Sequence, residues 1–241
     1  FQAEDGIRDF CLSRGLGDVY KRQVIMLIKI KILSDTICPW CYIGKKSFDN
    51  AKNHFDSNLF QITWVPFQLN PDMPKEGMDR RKYLVRKFGD QKKTIETYTP
   101  IINKFQENNI DHDLSKILKT PNTMNSNLLI HWGQLEKKAN CVVENLFIAY
   151  FYKGTDLSNK NHLIKIAKES GLTKKLSTRL FENEKDINSI QEIENKYRRI
   201  GITGIPTFIL NNEYVIPGAQ TKEFWLGVFK EVIKKHRRSY S

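Results

Sequence analysis

The stretch Ile28-Lys29-Ile30-Lys31-Ile32-Leu33-Ser34-Asp35-Thr36-Ile37-Cys38-Pro39-Trp40-Cys41-Tyr42-Ile43-Gly44-Lys45 decides how the rest of the chain is read. Residues 28–33 alternate apolar side chains with lysine and are rich in isoleucine, the pattern of a strand. After a short loop comes Cys38, and Pro39 behind it suits the first position of a helix, where its missing N–H costs nothing. The helical stretch runs on to about His54. This spacing puts Cys38 at the helix N-cap and Cys41 on the same face one turn later. The first-turn N–H groups and the helix dipole then point at the Cys38 sulfur and favour its thiolate. Cys38 is therefore expected to attack, and Cys41, shielded, to resolve a mixed disulfide or close an internal one. Pro39 and Trp40 tune the couple. Neither titrates, so a less oxidising pair is expected than one with histidine between the cysteines.

A lone Cys-x-x-Cys is also half a zinc site or a structural pair. The chain has no second such pair, and Cys141 and the five histidines show no ligand spacing, so no metal is expected. Asp35 has two readings: a proton relay to Cys41 if buried, or a solvated loop or capping carboxylate. Cys141, inside an apolar helix, reads as an inert core thiol. His131 and Trp132 fall in a helical stripe and read as packing.

Outward from the cysteines, Gln61 to Phe67 is a second β-rich run, which completes β-α-β and calls for a parallel pair with a right-handed crossover. Beyond Asn70-Pro71-Asp72-Met73-Pro74 the pattern turns helical, with helices expected over 78–88, 93–108, 123–139, 141–152, 160–170 and 173–183. Asn122 or Thr123 caps one of them and Ser158 another, and Gly171-Leu172 resembles a helix stop. An amphipathic helix from Ile187 to Ile200 leads to Gly201-Ile202-Thr203-Gly204, then to a strand starting at Ile205-Pro206. Asn211-Asn212 turns it into a second strand, Glu213 to Ile216. Thr221 caps a closing helix to about Lys235. The expected organisation is one α/β domain, 24–74 and 187–241, split by an all-helical insertion, 75–186.

The 241 residues, 40% of them hydrophobic, suffice for a sizeable core. Phe1 to Gln23 has no sustained periodicity and resembles translated sequencing-adapter read-through; it is set apart from the fold, with Met26 as the natural start. That removes Cys11, and three cysteines are too few for a disulfide-stapled scaffold. The net charge of +12 is spread as lysines among glutamates on amphipathic helices. No block matches a nucleic-acid motif, and the basic end at 234–238 reads as a solvated helix terminus. Leu27 to Leu33 is broken by lysines and lacks the continuous apolar run of a signal peptide, and nothing approaches a membrane span, so a cytoplasmic protein is expected.

With these motifs in order, the chain resembles the FrnE-like branch of the DsbA family, which has a thioredoxin fold. The matching stretches are 34–45, 66–74, Asn122-Thr123, 146–154, Gly201 to Pro206 and Gly218-Ala219-Gln220. The resemblance implies a thioredoxin fold (β-α-β … β-β-α) with a helical insertion and a redox-active Cys38/Cys41 pair. It implies Pro206 in cis beside that pair, with Ile205 pairing by its backbone with an incoming extended chain, and Pro39 and Trp40 at the same substrate surface. Residues near Asn122 would help line a groove over the site. Relatives usually carry Ala-His-Arg after Asn122-Thr123, where this chain has Ser126, Asn127 and Leu128. They usually carry a bulky aromatic at Thr207, whose small size is expected to open the pocket. The implied activity is thiol–disulfide exchange with protein substrates or a small thiol such as glutathione, the redox-active disulfide serving in place of a cofactor. Kappa-class glutathione transferases and 2-hydroxychromene-2-carboxylate isomerases share the scaffold, with serine where Cys38 stands, and supply the competing enzyme reading. A non-catalytic chaperone or binding module is a third.

Overall fold

The computed structural model describes residues 27–173 and 184–238. The adapter-like segment, the expected start at Met26 and nearly all of the expected helix at 173–183 lie outside the described residues. A four-stranded sheet in the order β2-β1-β5-β6 carries the fold. β1 (Ile28–Ser34) lies parallel to β2 (Phe60–Pro66) and antiparallel to β5 (Thr207–Leu210), which pairs antiparallel with β6 (Tyr214–Pro217). Alternation along β1 sends Ile28, Ile30 and Ile32 to one face, while Leu33 joins a second cluster on the other.

The first face is covered by α1 (Pro39–Lys52) and the closing helix α8 (Lys222–Arg238). Phe48 of α1 meets Trp225 of α8 edge to face at 5.2 Å, and Phe208 of β5 packs 4.7 Å from the same indole. All three rings are fully buried, so removing one opens a void costing about 3–5 kcal/mol. On the opposite face Leu33, Val65, Phe67 and Ile209 pack with Tyr197 of α7 (Glu184–Arg199). The β5–β6 turn uses Asn211 and Asn212, both at positive φ (51° and 60°), which asparagine tolerates better than most residues. The Thr221 hydroxyl accepts from the Phe224 N–H at 3.2 Å, capping α8 as expected.

Between the two halves lie α2 (Arg80–Phe88), α3 (Gln91–Glu107), α4 (Met124–Leu135), α5 (Ala139–Phe151) and α6 (Lys160–Glu169). This stretch is not wholly helical. Met78–Asp79 (β3) pairs antiparallel with Lys119–Thr120 (β4), and the Asp79 carboxylate accepts from Lys82 N–H at 2.9 Å, so the helix expected from 78 begins at Arg80. The break between α4 and α5 falls at 136–138, where Lys137 takes φ 59° and Lys138 N–H reaches the Gly133 carbonyl at 2.7 Å. The cap of α6 is Asn159, accepting from Asn161 N–H at 2.9 Å; Ser158 instead donates its hydroxyl to Asp156 at 2.6 Å. Gly171 at φ 76° stops α6, with Leu172 N–H on the Ala167 carbonyl at 3.0 Å. Cys141 corrects another expectation: it is exposed, because its neighbours Val142 and Val143 take the inward face of α5. Among the described residues no helix is long and apolar enough to cross a membrane.

Candidate active site

The end of β1 delivers Asp35-Thr36-Ile37 to the start of α1, and the chain turns there with Cys38 N–H on the Asp35 carbonyl at 3.2 Å. Cys38 is the N-cap, in extended conformation, and Pro39 follows at the first helical position, as the spacing requires. Cys41 N–H returns to the Cys38 carbonyl at 3.1 Å, which fixes the second sulfur one turn behind the first. Both cysteines are free thiols. Cys38 is only 3% exposed and Cys41 2%, whereas Trp40 between them is 36% exposed. Burial above all, and then the neighbouring Cys38 sulfur, push the Cys41 thiol well up, against the Asp35 backbone N–H and the Ser34 hydroxyl, which favour its anion. Burial thus favours the protonated form of the Cys41 thiol.

Facing the pair is the loop before β5. The Ile205–Pro206 peptide bond is cis. The Cys38 sulfur lies 3.8 Å from the Ile205 carbonyl oxygen, and the Pro206 carbonyl accepts from Gly218 N–H at 2.8 Å. Gly44 of α1 makes this approach possible, since a Cβ there would sit 3.1 Å from Pro206 Cγ and 3.4 Å from Ala219 Cα. Thr207 does not open a pocket: it is 2% exposed and its hydroxyl donates to the Gly204 carbonyl at 2.7 Å.

Asp35 is buried, as a relay needs, yet its carboxylate is engaged elsewhere. It accepts from Leu69 N–H at 2.6 Å and from the Thr123 hydroxyl at 3.1 Å, and what reaches Cys41 from this residue is the backbone N–H. Burial raises its pKa to about 6; these hydrogen bonds pull the other way and are outweighed, while the Glu194 charge adds to the rise. Thr123 therefore spends its hydroxyl on Asp35 and caps nothing, and Asn122 takes over by accepting from Met124 N–H at 2.9 Å. The Asn122 amide also donates to the Met73 carbonyl at 2.6 Å, closing the 70–74 loop onto α4. Ser126, where the family pattern was broken, pairs with the Thr36 hydroxyl at 2.9 Å.

Two further contacts were not expected from the sequence. Glu194 of α7 accepts from Gln68 N–H at 3.1 Å and from Arg198 at 2.5 Å, while Arg198 donates to the Gln68 carbonyl at 2.7 Å and lies 4.1 Å over the Phe67 ring. This clamp fixes the segment whose next amide, Leu69, meets Asp35. Its only sequence signal is the i,i+4 spacing of Glu194 and Arg198. Lys45, one turn beyond Cys41, is 5% exposed and bridges Asp49, at 2.7 Å, to Glu144 of α5, anchoring the helix of the cysteines to the insertion. Among the described residues no group of three or more His, Cys, Asp or Glu side chains could hold a metal ion.

The arrangement is that of a dithiol at a helix mouth facing a proline loop, and comparison with known proteins places it. A family model described as the DSBA-like thioredoxin domain matches residues 29–229. The chain belongs to the DSBA-like thioredoxin family. It is 27% identical over 218 residues to YwbO of Bacillus subtilis (strain 168), itself uncharacterized, covering 88% of this chain and 99% of that one. Among solved structures it is similar to a probable DsbA oxidoreductase, SCO1869 of Streptomyces coelicolor, with TM-score 0.77 and 19% identity over 86% of this chain and 90% of that one. A 2-hydroxychromene-2-carboxylate isomerase follows at TM-score 0.66 and 13% identity, covering 88% and 99%. The cytosolic disulfide reductase DsbM of Pseudomonas aeruginosa, also solved with GSH, gives TM-score 0.63 and 13% identity, covering 86% and 98%. At these identities the solved structures establish the shared thioredoxin fold.

Proposed function

We propose that this DsbA-like chain is a thiol–disulfide oxidoreductase of the FrnE-like kind, working in the cytoplasm on protein disulfides with glutathione as a possible small-thiol partner. One observation carries the reading: a cysteine at a helix N-cap, a second buried sulfur one turn behind, and the Ile205 carbonyl 3.8 Å from the first. In the reducing direction the Cys38 thiolate attacks a substrate disulfide, forming a Cys38–substrate disulfide and expelling one substrate thiolate. Cys41 loses its proton and attacks the Cys38 sulfur, expelling the second thiolate and leaving the Cys38–Cys41 disulfide. Two electrons pass to the substrate, and the reverse sequence oxidises it. Pro39 and Trp40 flank the incoming chain, and the Ile205 backbone pairs with it. Asp35 serves the pair through its backbone N–H, which favours the Cys41 thiolate, and its carboxylate does not touch the Cys41 sulfur.

The test is insulin reduction by dithiothreitol. The protein is expected to accelerate it, Cys38→Ser to abolish the effect, and Cys41→Ser to accumulate mixed disulfides through Cys38. A double serine variant with full activity would sink the reading. Glutathione conjugation that survives loss of Cys41 would favour the transferase or isomerase alternative.

A further inference from the structure

We propose that Arg80 is the anchor of a carboxylate-binding subsite beside Cys38, selecting thiols and disulfides whose sulfur is flanked by a carboxylate. The proposal rests on the redox reading above. Arg80 opens α2, and its backbone N–H is fixed on the Leu118 carbonyl at 2.9 Å. Its half-buried side chain meets only neutral acceptors. Nη1 donates to the Thr120 hydroxyl at 3.2 Å and to the Tyr150 hydroxyl at 3.4 Å, and Nη2 donates to the Tyr98 hydroxyl. The guanidinium carbon lies 5.6 Å from the ring centres of both Tyr83 and Tyr98. Among the described residues no carboxylate comes within ion-pair distance of it. Arg198, by contrast, holds Glu194.

A guanidinium has five N–H groups, and these bonds use three. Nε–H and one Nη2–H are left over from these bonds, and such donors are the ones with which arginine takes a carboxylate. A second cation stands next to it: Lys87 donates to the Tyr83 hydroxyl at 2.8 Å and sits 5.3 Å over that ring, also without an acidic partner among the described residues. Two positive charges share one aromatic cage and have no counterion among the described residues.

The cage is tied to the cysteines from both sides. Thr120 is three residues before Thr123, which donates to Asp35. Tyr83 is bonded to the Asn70 amide at 3.1 Å, and the preceding residue, Leu69, donates to Asp35 as well. The Asp35 backbone carbonyl, in turn, accepts from Cys38 N–H. Burial pushes the Tyr98 phenol's pKa up, against the Arg80 charge, and Cys38 adds a small rise.

The carboxylate could belong to glutathione or to an acidic residue beside a protein cysteine. The full chain is oxidised at Cys38–Cys41 and then reduced by glutathione, glutathione diethyl ester or dithiothreitol, each rate normalised to that thiol's reaction with a small disulfide. Two glutathione molecules supply two electrons and two protons, giving both thiols and one glutathione disulfide. Wild type is expected to favour glutathione over its ester by roughly 10-fold or more, as a charge-assisted bond warrants. Arg80→Gln should remove that preference while leaving dithiothreitol within about 2-fold, and Arg80→Lys should restore part of it. A parallel pair of peptide mixed disulfides, with Glu or Gln next to the cysteine, identifies which carboxylate source is preferred. Equal losses with all three thiols in Arg80→Gln, or no ester discrimination in wild type, would overturn the subsite. Failure of dithiothreitol to reduce wild type at all would instead bring down the redox reading beneath it.

Discussion

The Thr123 hydroxyl, at the head of α4, donates to the Asp35 carboxylate at 3.1 Å, joining two residues 88 apart in the chain. The insertion thus reaches into the turn that presents Cys38. Asp35 is fully buried and accepts from Leu69 as well, so three segments converge on one titratable group.

That group makes stability depend on pH. Its native pKa, about 6, is raised above the ordinary 3.8, so the fold binds this proton more tightly than the unfolded chain does. The resulting stabilisation is fully present below about pH 4 and is lost as pH rises through about 6. Asp35→Asn should flatten that fall, and at pH 8 the variant should exceed wild type by up to about 3 kcal/mol, two units at about 1.4 each. Urea unfolding at pH 4, 6 and 8 measures it; a variant less stable than wild type at pH 8 but not at pH 4 would contradict the assignment.

Thr123→Val removes a donor that favours the Asp35 carboxylate. The expected loss is about 1–2 kcal/mol at pH 8, shrinking at pH 4 where the group is protonated. Thr123→Ser keeps the hydroxyl and should lose less. Equal losses at both pH values would mean that the methyl packing matters and the hydrogen bond does not.

Lys45 bridges α1 to Glu144 while almost fully buried. Glu144→Ala leaves the ammonium with Asp49 alone and should cost about 1–3 kcal/mol, discounted because Glu144 itself is 27% exposed. Lys45→Met combined with Glu144→Leu should recover most of the loss, since an apolar pair of similar volume has no charge to desolvate. Additive losses in the double variant, read by thermal or urea unfolding, would refute the pairing.

Gly44 sets the distance between α1 and the loop of Pro206. Gly44→Ala needs a shift of a few tenths of an ångström and should retain most insulin-reducing activity. Gly44→Leu drives a branched side chain against Pro206 and the Ala219 backbone, an overpacking of about 1–3 kcal/mol. Its activity should fall at least 10-fold with the helical signal intact; unchanged activity would show that this approach is immaterial.

The parts of the fold written in local patterns were legible. The β1 alternation, Pro39 after Cys38, the Asn211-Asn212 turn and the Thr221 cap each reflect a backbone preference of neighbouring residues. What could not be read depends on distant partners. Thr123 looks like a cap, and only the arrival of Asp35 diverts its hydroxyl. Met78–Asp79 continues a helical pattern and becomes a strand because Lys119–Thr120 lies beside it. Cys141 sits in an apolar sequence, but which side of a helix faces inward is set by what packs there. At the site, Cys38, Cys41 and Ile205-Pro206 came together as the sequence and its family likeness implied. The Glu194–Arg198 clamp and the tyrosine-caged Arg80 are products of tertiary placement alone.

The near-closure of both sulfurs bears on durability as well as traffic. Peroxide drives an open thiolate past sulfenic acid to forms that no thiol can restore. With Cys38 only 3% exposed, an oxidant has little access, and in the proposed cycle Cys41 would capture a first oxidation as a disulfide. On the proposed redox reading, this burial would confine the dithiol to its reversible cycle and guard it against chemical wear.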